Sequence, residues 1–173
     1  GFSGAHDQHE RQRALLEGLA RHWGEHWWFF SWHGWALVET GDVASGVAMI
    51  ERSLAANPRN AHGVHARVHG HVEAGEAEAG AAFVARFLED YAPHSQLHCH
   101  LSWHLALFAL AQGDAPRAWA VFDRAIRPGR THSAPMPTLA DAASFLWRWS
   151  IYGHGDAAAD WRDVADHAAR FFA

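Results

Sequence analysis

Apolar side chains recur along this chain at the three- and four-residue spacing of amphipathic helices. Ala, Leu, Arg and Glu dominate these segments, whereas runs that alternate β-branched and polar residues, as strands do, are nearly absent. Gly and Pro interrupt the pattern at regular places, and the stretch from Pro128 to Pro137 is predicted to be a connection without helix. The pattern predicts an all-α protein with helices at residues 7–22, 26–40, 43–56, 60–74, 76–91, 95–112, 114–127, 138–152 and 160–172.

The predicted helices recur with a period of 34 residues. Gly41 and Gly75 are one period apart, as are Gly46 and Gly80, and a looser third unit contains Gly113. Each antiparallel helix pair leaves one apolar face open for the next pair to cover, so the period predicts an α-solenoid. We expect a single domain over residues 1–173, with repeats at approximately 27–60, 61–94 and 95–132 and a C-terminal helix pair at 138–172.

The first unit resembles the tetratricopeptide repeat. Its bulky, small and turn positions are occupied, at the spacing of that repeat, by Phe30, Gly34, Leu37, Gly41, Gly46, Ile50, Ser53 and Pro58. Gly46 and Ser53 stand where alanine is usual. The resemblance implies a tetratricopeptide-type solenoid of antiparallel helix pairs.

Longer segments resemble the tetratricopeptide repeat protein 38-like family and its bacterial members. These segments are residues 26–29, 64–69, 99–108, 141–148 and 161–164, of which the Cys-His-x-x-Trp-His stretch is the most distinctive. Members of the family are longer at both ends and this chain starts with Gly1, so we expect a central portion of a longer bacterial protein. Members carry a Glu where this chain has Val72, followed by Glu73. The resemblance implies a fold and no particular activity.

In tetratricopeptide repeats, the first helix of each pair lines a concave face on which ligands bind. The resemblance implies that this face holds mainly His and Trp here: Trp28, Ser31, Trp35, His62, His65, His69, His100, Trp103, His104 and Leu107. His62, His65 and His69 follow one another at the spacing of a single helical face. We therefore predict a ligand-binding groove that is lined by imidazole and indole rings.

Two His-x-x-x-His pairs stand out among these residues. His65 with His69, and His100 with His104, have the spacing at which two imidazoles of one helix reach the same ion. Together the pairs would supply four nitrogen ligands to zinc, nickel or copper. The alternative is a groove or core without metal, because this spacing arises often by chance in a chain with 16 His. No Glu follows His65, so the helix of a zinc protease is not predicted.

Cys99 is the only cysteine, so an internal disulfide is excluded and a reducing cytoplasm is the expected location. Adjacent residues of a helix point about 100° apart, which prevents Cys99 and His100 from forming a nucleophile–base pair easily. A histidine of another helix would be needed. We favour the interpretation of Cys99 as a small buried apolar residue, and we assign no catalytic residue.

Charge and hydropathy exclude two classes of partner. The net charge is −5, and the 14 basic residues, all of them Arg, are spread along the chain, so no nucleic-acid partner is expected. No run approaches 18 apolar residues, so no membrane partner is expected. The absence of Lys excludes Schiff-base chemistry and the phosphate-loop lysine.

Two functions agree with these observations. The first, which we favour, is a binding module without a cofactor that holds a peptide, a protein segment or a small molecule in the His/Trp groove, as repeat solenoids most often do. The alternative is a metal-binding protein or metalloenzyme that uses the groove histidines. A groove filled by the rest of the parent chain is a third interpretation. The exposed ends of a repeat array favour self-association into a homo-oligomer.

Overall fold

The computed structural model describes residues 6–172. Its helices are α1 (Gln8–Trp23), α2 (Trp27–Glu39), α3 (Val43–Ala56), α4 (Ala61–Glu73), α5 (Ala77–Glu89), α6 (His98–Ala111), α7 (Ala115–Ala125), α8 (Pro135–Ile151) and α9 (Ala158–Phe172). The prediction of an all-α chain is confirmed for these residues, and every predicted helix end lies within three residues of the observed one. Gly1 and the other predicted domain limit, Ala173, lie outside the described residues. None of the described helices is both long and apolar enough for a membrane crossing.

The connection predicted from Pro128 to Pro137 ends earlier than expected, because α8 begins at Pro135. Proline fits the first turn of a helix, since its ring presets φ and no carbonyl within the helix needs its missing N–H. Ala134 before it is extended, with φ −62° and ψ 155°, as the residue before a proline prefers. The prediction that Pro135 and Pro137 would exclude helix was therefore wrong.

Four helices end in the same backbone turn. A glycine with positive φ follows each of α2, α4, α6 and α8: Gly41, Gly75, Gly113 and Gly153. In each turn the glycine donates its N–H to the carbonyl three residues earlier, and the next residue donates to the carbonyl five residues earlier. This is the Schellman motif, whose left-handed position favours glycine because a Cβ atom would be strained there. Local hydrogen bonds thus stop each of these helices and reverse the chain.

The chain divides into two compact units: unit 1 ends at Glu76 and unit 2 begins at Ala77. In unit 1, α2 packs against α1, α3 and α4, and α3 packs against α4. In unit 2, α6 packs against α5, α7 and α8, and α8 packs against α9. The described helices are therefore packed largely in sequential pairs. The unit boundary falls inside the predicted repeat 61–94, and the single domain and the repeat solenoid stay predictions.

Two glycines bring α2 and α3 together in unit 1. A Cβ atom at Gly34 would lie 2.8 Å from the carbonyl oxygen of Gly46, and a Cβ atom at Gly46 would lie 2.6 Å from the carbonyl oxygen of Gly34. Because no side chain fits between them, the two backbones pack directly. Val38 and Ile50 are buried beside this crossing together with Ala66 of α4. The crossing thus sets the core against which α4 packs.

Aromatic stacking forms part of the core of unit 2. The rings of Phe122 on α7 and Phe145 on α8 are stacked, with centroids 4.7 Å apart and planes 10° from parallel. Both side chains are fully buried, as are Leu101 and Leu110 of α6. Offset stacking of this kind adds to the free energy gained by burial. The stack therefore joins α7 to α8, while α6 packs against α5, α7 and α8 in the middle of the unit.

Candidate functional site

The predicted groove residues of unit 1 form a layer of rings between α2 and α4. The ring centroids of Trp32 and His62 are 5.1 Å apart. One turn further along, the ring of Trp35 lies 6.1 Å from the rings of both His65 and His69. All five side chains are partly exposed. Indoles of α2 and imidazoles of α4 therefore meet along one face of unit 1.

A carboxylate and two imidazoles form a chain of hydrogen bonds in this layer. Nδ1 of His69 lies 2.7 Å from Oε1 of Glu39, the last residue of α2. Nε2 of His69 lies 3.0 Å from Nε2 of His65, one turn earlier on α4. Because an ionised carboxylate only accepts, Nδ1 of His69 carries the donated proton. When the ring of His69 is neutral, its Nε2 accepts the N–H of His65.

The hydrogen bond from His69 lowers the pKa of Glu39 below the ordinary value for glutamate. Burial opposes this effect, and the charges of His69 and His9 add to it. Glu39 is therefore ionised at neutral pH. The side chains of Glu39 and His69 are 19% and 25% exposed, so solvent reaches the hydrogen-bonded chain. Burial lowers the pKa of the neighbouring His62, which keeps that ring neutral.

The other two predicted groove residues of unit 1 differ from each other in exposure. Trp28 is 42% exposed, and its ring lies 5.9 Å from Trp23 and 6.1 Å from Trp32. Ser31 is only 2% exposed, and its hydroxyl donates to the carbonyl oxygen of Trp28 at 2.7 Å. Ser31 therefore packs between helices and does not offer its hydroxyl to a ligand, contrary to its predicted place in the groove.

The second predicted pair of histidines lies on α6 in unit 2. Nδ1 of His100 is 2.9 Å from Oδ1 of Asp141 on α8. The rings of His100 and His104 have centroids 4.9 Å apart and are nearly perpendicular, at 80°. His104 and Asp141 are only 4% and 6% exposed. This pair also contacts a carboxylate, but one that lies in the protein interior.

Aromatic and cationic groups cover the pair in unit 2. The indole of Trp103 is stacked on the ring of His100, with centroids 5.2 Å apart and planes 13° from parallel. The guanidinium of Arg148 lies 5.4 Å from the centroid of Trp103. Leu107, one turn beyond Trp103 on α6, is partly buried. Of the predicted groove residues of α6, His104 is therefore buried, whereas His100, Trp103 and Leu107 are partly exposed.

Cys99, next to His100, is 1% exposed. Burial raises the pKa of its thiol to about 12, and the negative charge of Asp141 contributes. The thiolate, which is the nucleophilic form, is therefore almost absent at neutral pH. The favoured interpretation of Cys99 as a buried small apolar residue is confirmed, and the alternative of a catalytic nucleophile is not supported.

The sequence analysis missed both carboxylates that contact the histidine pairs. Glu39 is 30 residues from His69, and Asp141 is 41 residues from His100. The sequence did contain one indication of Glu39. This residue follows Trp35, a predicted groove residue, by one helical turn and therefore lies on the same face of the helix. The family resemblance instead directed attention to the position of Val72, whose side chain is half exposed. The carboxylate beside His69 comes from the preceding helix pair.

Searches against known proteins add no family to these observations. No protein-family model matches the chain. No solved structure matches it at a significant level. The resemblance to the tetratricopeptide repeat protein 38-like family therefore stays a prediction from the quoted residues. What the described residues form is an all-α protein in which each unit holds one histidine pair with a carboxylate.

Proposed function

We propose that this protein binds a divalent transition-metal ion through the Nε2 atoms of His65 and His69. The observation that carries this proposal is the distance of 3.0 Å between the two atoms. With Zn–N distances of about 2.0–2.1 Å and a tetrahedral angle, two ligating nitrogens lie about 3.3 Å apart. A small rotation of the rings therefore lets an ion replace the proton that the two nitrogens share.

Glu39 supplies the hydrogen bond that metal-bound histidines usually have. Such histidines donate their second ring N–H to a carboxylate or a carbonyl, which orients the ring and raises its basicity. His69 has this arrangement, with Nδ1 at 2.7 Å from Glu39. For His65 to bind as well, its proton moves from Nε2 to Nδ1, because a metal takes the lone pair of a neutral imidazole.

The ligand set favours zinc, copper or nickel over the hard ions magnesium and calcium, which prefer oxygen ligands. Two imidazoles leave coordination positions for water or for a bound molecule, as open metal sites do. The sequence also predicts that His100 and His104 bind the same ion. These residues belong to unit 2, and their participation stays a prediction. We assign no reaction to the site.

A second candidate function is the binding module predicted from the sequence, a tetratricopeptide-like solenoid that holds a peptide, a protein segment or a small molecule. The Schellman turns that contain Gly41, Gly75 and Gly113 support the repeat, because they recur at the predicted places with the same hydrogen bonds. The half-exposed indole of Trp28 and the adjoining ring of Trp32 support the ligand surface, since aromatic side chains often anchor partners.

The metal proposal is tested by elemental analysis and by titration. Protein purified without an affinity tag or chelator is analysed for zinc, nickel and copper, stripped of metal, and titrated with each ion by calorimetry. We expect stoichiometric binding that is lost in His65→Ala and in His69→Ala. His62→Ala is the matched control, since His62 lies on the same helix against Trp32 and is no proposed ligand.

Each outcome decides between the alternatives. Wild-type binding in both His65→Ala and His69→Ala contradicts the proposed site. Loss of binding in a His100→Ala/His104→Ala double variant as well supports the four-imidazole prediction, whereas full retention supports the pair in unit 1 alone. If no ion binds the wild-type protein, the binding module remains, and peptides and small molecules are screened against Trp28→Ala and wild-type protein.

A further inference from the structure

A groove lies between α5, α6 and α7 in unit 2, and neither His100 nor Asp141 lines it. Its volume is about 440 Å³, which is within the range of small-molecule sites. The floor is mainly apolar and consists of Ala85, Leu88, Leu105, Ala120, Val121 and Ala125. Leu105 and Val121 are buried, whereas Ala120 is exposed at the edge. An aliphatic chain that enters the groove would thus be covered by apolar side chains.

Two arginines of α7 line the same groove. Arg117 and Arg124 are exposed and are two helical turns apart, about 10 Å along the axis. The guanidinium of neither residue forms an ion pair with a described residue. Arg127, just beyond α7, differs because Asp123 and Asp163 bind its guanidinium. The two groove arginines therefore keep their donors available for an anion.

The groove is also lined by a histidine, a serine and a glutamate. His98 lies near Arg124: burial and then the charge of Arg124 lower the pKa of His98, and His132 contributes. Ser102, which is 2% exposed, supplies a hydroxyl on the floor. Glu89 is the one carboxylate on the lining, and it belongs to α5. The α7 side of the groove is thus cationic, although the whole chain carries a net charge of −5.

We propose that this groove binds an aliphatic monocarboxylate, with the carboxylate on Arg117 and Arg124 and the hydrocarbon chain on the floor around Leu105 and Val121. Arginine donates two parallel hydrogen bonds to a carboxylate, which gives both strength and orientation. The apolar floor adds binding free energy in proportion to the hydrocarbon surface removed from water. An uncharged molecule with the same hydrocarbon chain would lack the hydrogen bonds from the arginines. A short carboxylate such as acetate would lack the contact with the apolar floor.

Calorimetric titration with decanoate, below its micelle-forming concentration and with chelator present, tests this site separately from the proposed metal site. We expect decanoate to bind, decanol and acetate to bind much more weakly, and decyltrimethylammonium not to bind. Arg117→Gln and Arg124→Gln should each weaken decanoate binding about tenfold, the effect of losing one charge-assisted hydrogen-bond donor. Arg86→Gln, an exposed arginine of α5 outside the groove lining, should bind like the wild type.

A second variant blocks the floor without touching the arginines. Ala120 is exposed at the groove, so Ala120→Phe is expected to fold and to abolish decanoate binding; circular dichroism and thermal melting verify the fold. Equal binding of decanol and decanoate, or of acetate and decanoate, overturns the proposal. So does wild-type affinity in both Arg117→Gln and Arg124→Gln, or an absence of decanoate binding to the wild-type protein.

Discussion

The histidine pairs of the two units have the same spacing, and each has a carboxylate on Nδ1 of one ring, yet their surroundings differ. The carboxylate in unit 1, Glu39, has a side chain that is 19% exposed, whereas the side chain of Asp141 in unit 2 is 8% exposed. In unit 1 the two Nε2 atoms face each other at 3.0 Å. In unit 2 the indole of Trp103 is stacked on His100. Equal spacing on a helix therefore does not produce equal sites, because the carboxylate that each pair meets comes from another helix and differs in burial.

The largest difference between the units is expected when one imidazole of each pair is removed. His100→Ala leaves the buried carboxylate of Asp141 without its imidazole, which should lower the free energy of unfolding by about 3 kcal/mol. His69→Ala leaves the carboxylate of Glu39 without its imidazole. Because water can reach this carboxylate, the free energy of unfolding should fall by only about 1 kcal/mol. Urea unfolding of both variants with chelator present measures the two values. Equal losses would show that the difference in burial has no energetic effect.

The next effect concerns two glycines, Gly46 and Gly80, each of which is the fourth residue of its helix, α3 in unit 1 and α5 in unit 2. A Cβ atom at Gly46 would lie 2.6 Å from the backbone carbonyl oxygen of Gly34, whereas one at Gly80 would lie 2.5 Å from the ring tip of Phe108. Backbone cannot move aside as a ring tip can. Gly46→Ala should therefore lower the free energy of unfolding by about 2 kcal/mol.

For Gly80→Ala the cost of shifting the ring is partly offset by the higher helix propensity of alanine, about 1 kcal/mol. We expect a net loss of about 1 kcal/mol or less for this variant. Thermal or urea unfolding of the two single variants measures the difference. A larger loss in Gly80→Ala than in Gly46→Ala would mean that α2 and α3 tolerate separation and that the close approach is not what limits their packing.

The smallest effect is a pH dependence that comes from a buried histidine outside both pairs. His33 on α2 is 8% exposed, and Nδ1 has no hydrogen-bond partner among residues 6–172. Burial lowers the pKa of His33, with Arg13 adding to the decrease and Glu17 opposing it. The unfolded chain therefore takes up a proton near the ordinary pKa of about 6.5, before the folded protein does.

Stability should accordingly fall as the pH drops below about 6.5, and the decrease should end at the lower pKa of the folded state. A single group contributes at most about 1.4 kcal/mol per pH unit to this slope. His33→Phe should reduce the slope, whereas His22→Ala, at an exposed position, should leave it unchanged. Urea unfolding over a pH series measures both. An unchanged slope in His33→Phe would show that other groups cause the acid sensitivity.

The helices and their ends were largely predictable because they depend on nearby residues. The turn glycines Gly41, Gly75 and Gly113 stop helices by hydrogen bonds that span five residues, so a local pattern was sufficient. The exception was Pro135. Proline disfavours the middle of a helix, but here it is the first residue of α8. A proline is ambiguous in sequence because its effect depends on the turn that it occupies.

The candidate site was predictable only as a helical face. The spacing of His65 and His69 placed both rings on one side of α4, since residues four apart share a face of any α-helix. The burial of Ser31 did not follow from this periodicity, because it depends on which helices pack against α2. Asp141 also gave no signal, since only the packing of α8 on α6 brings it to His100.

The sequence by itself determined the all-α character, the turns and the face of α4 that carries the imidazoles, since these depend on φ, on hydrogen bonds and on side-chain direction within a few residues. Tertiary structure alone decided that Glu39 meets His69 across 30 residues and that Asp141 meets His100 across 41 residues. Contacts between helices depend on how closely the helices approach. In unit 1, the approach of α2 to α3 is set by the absence of side chains at Gly34 and Gly46.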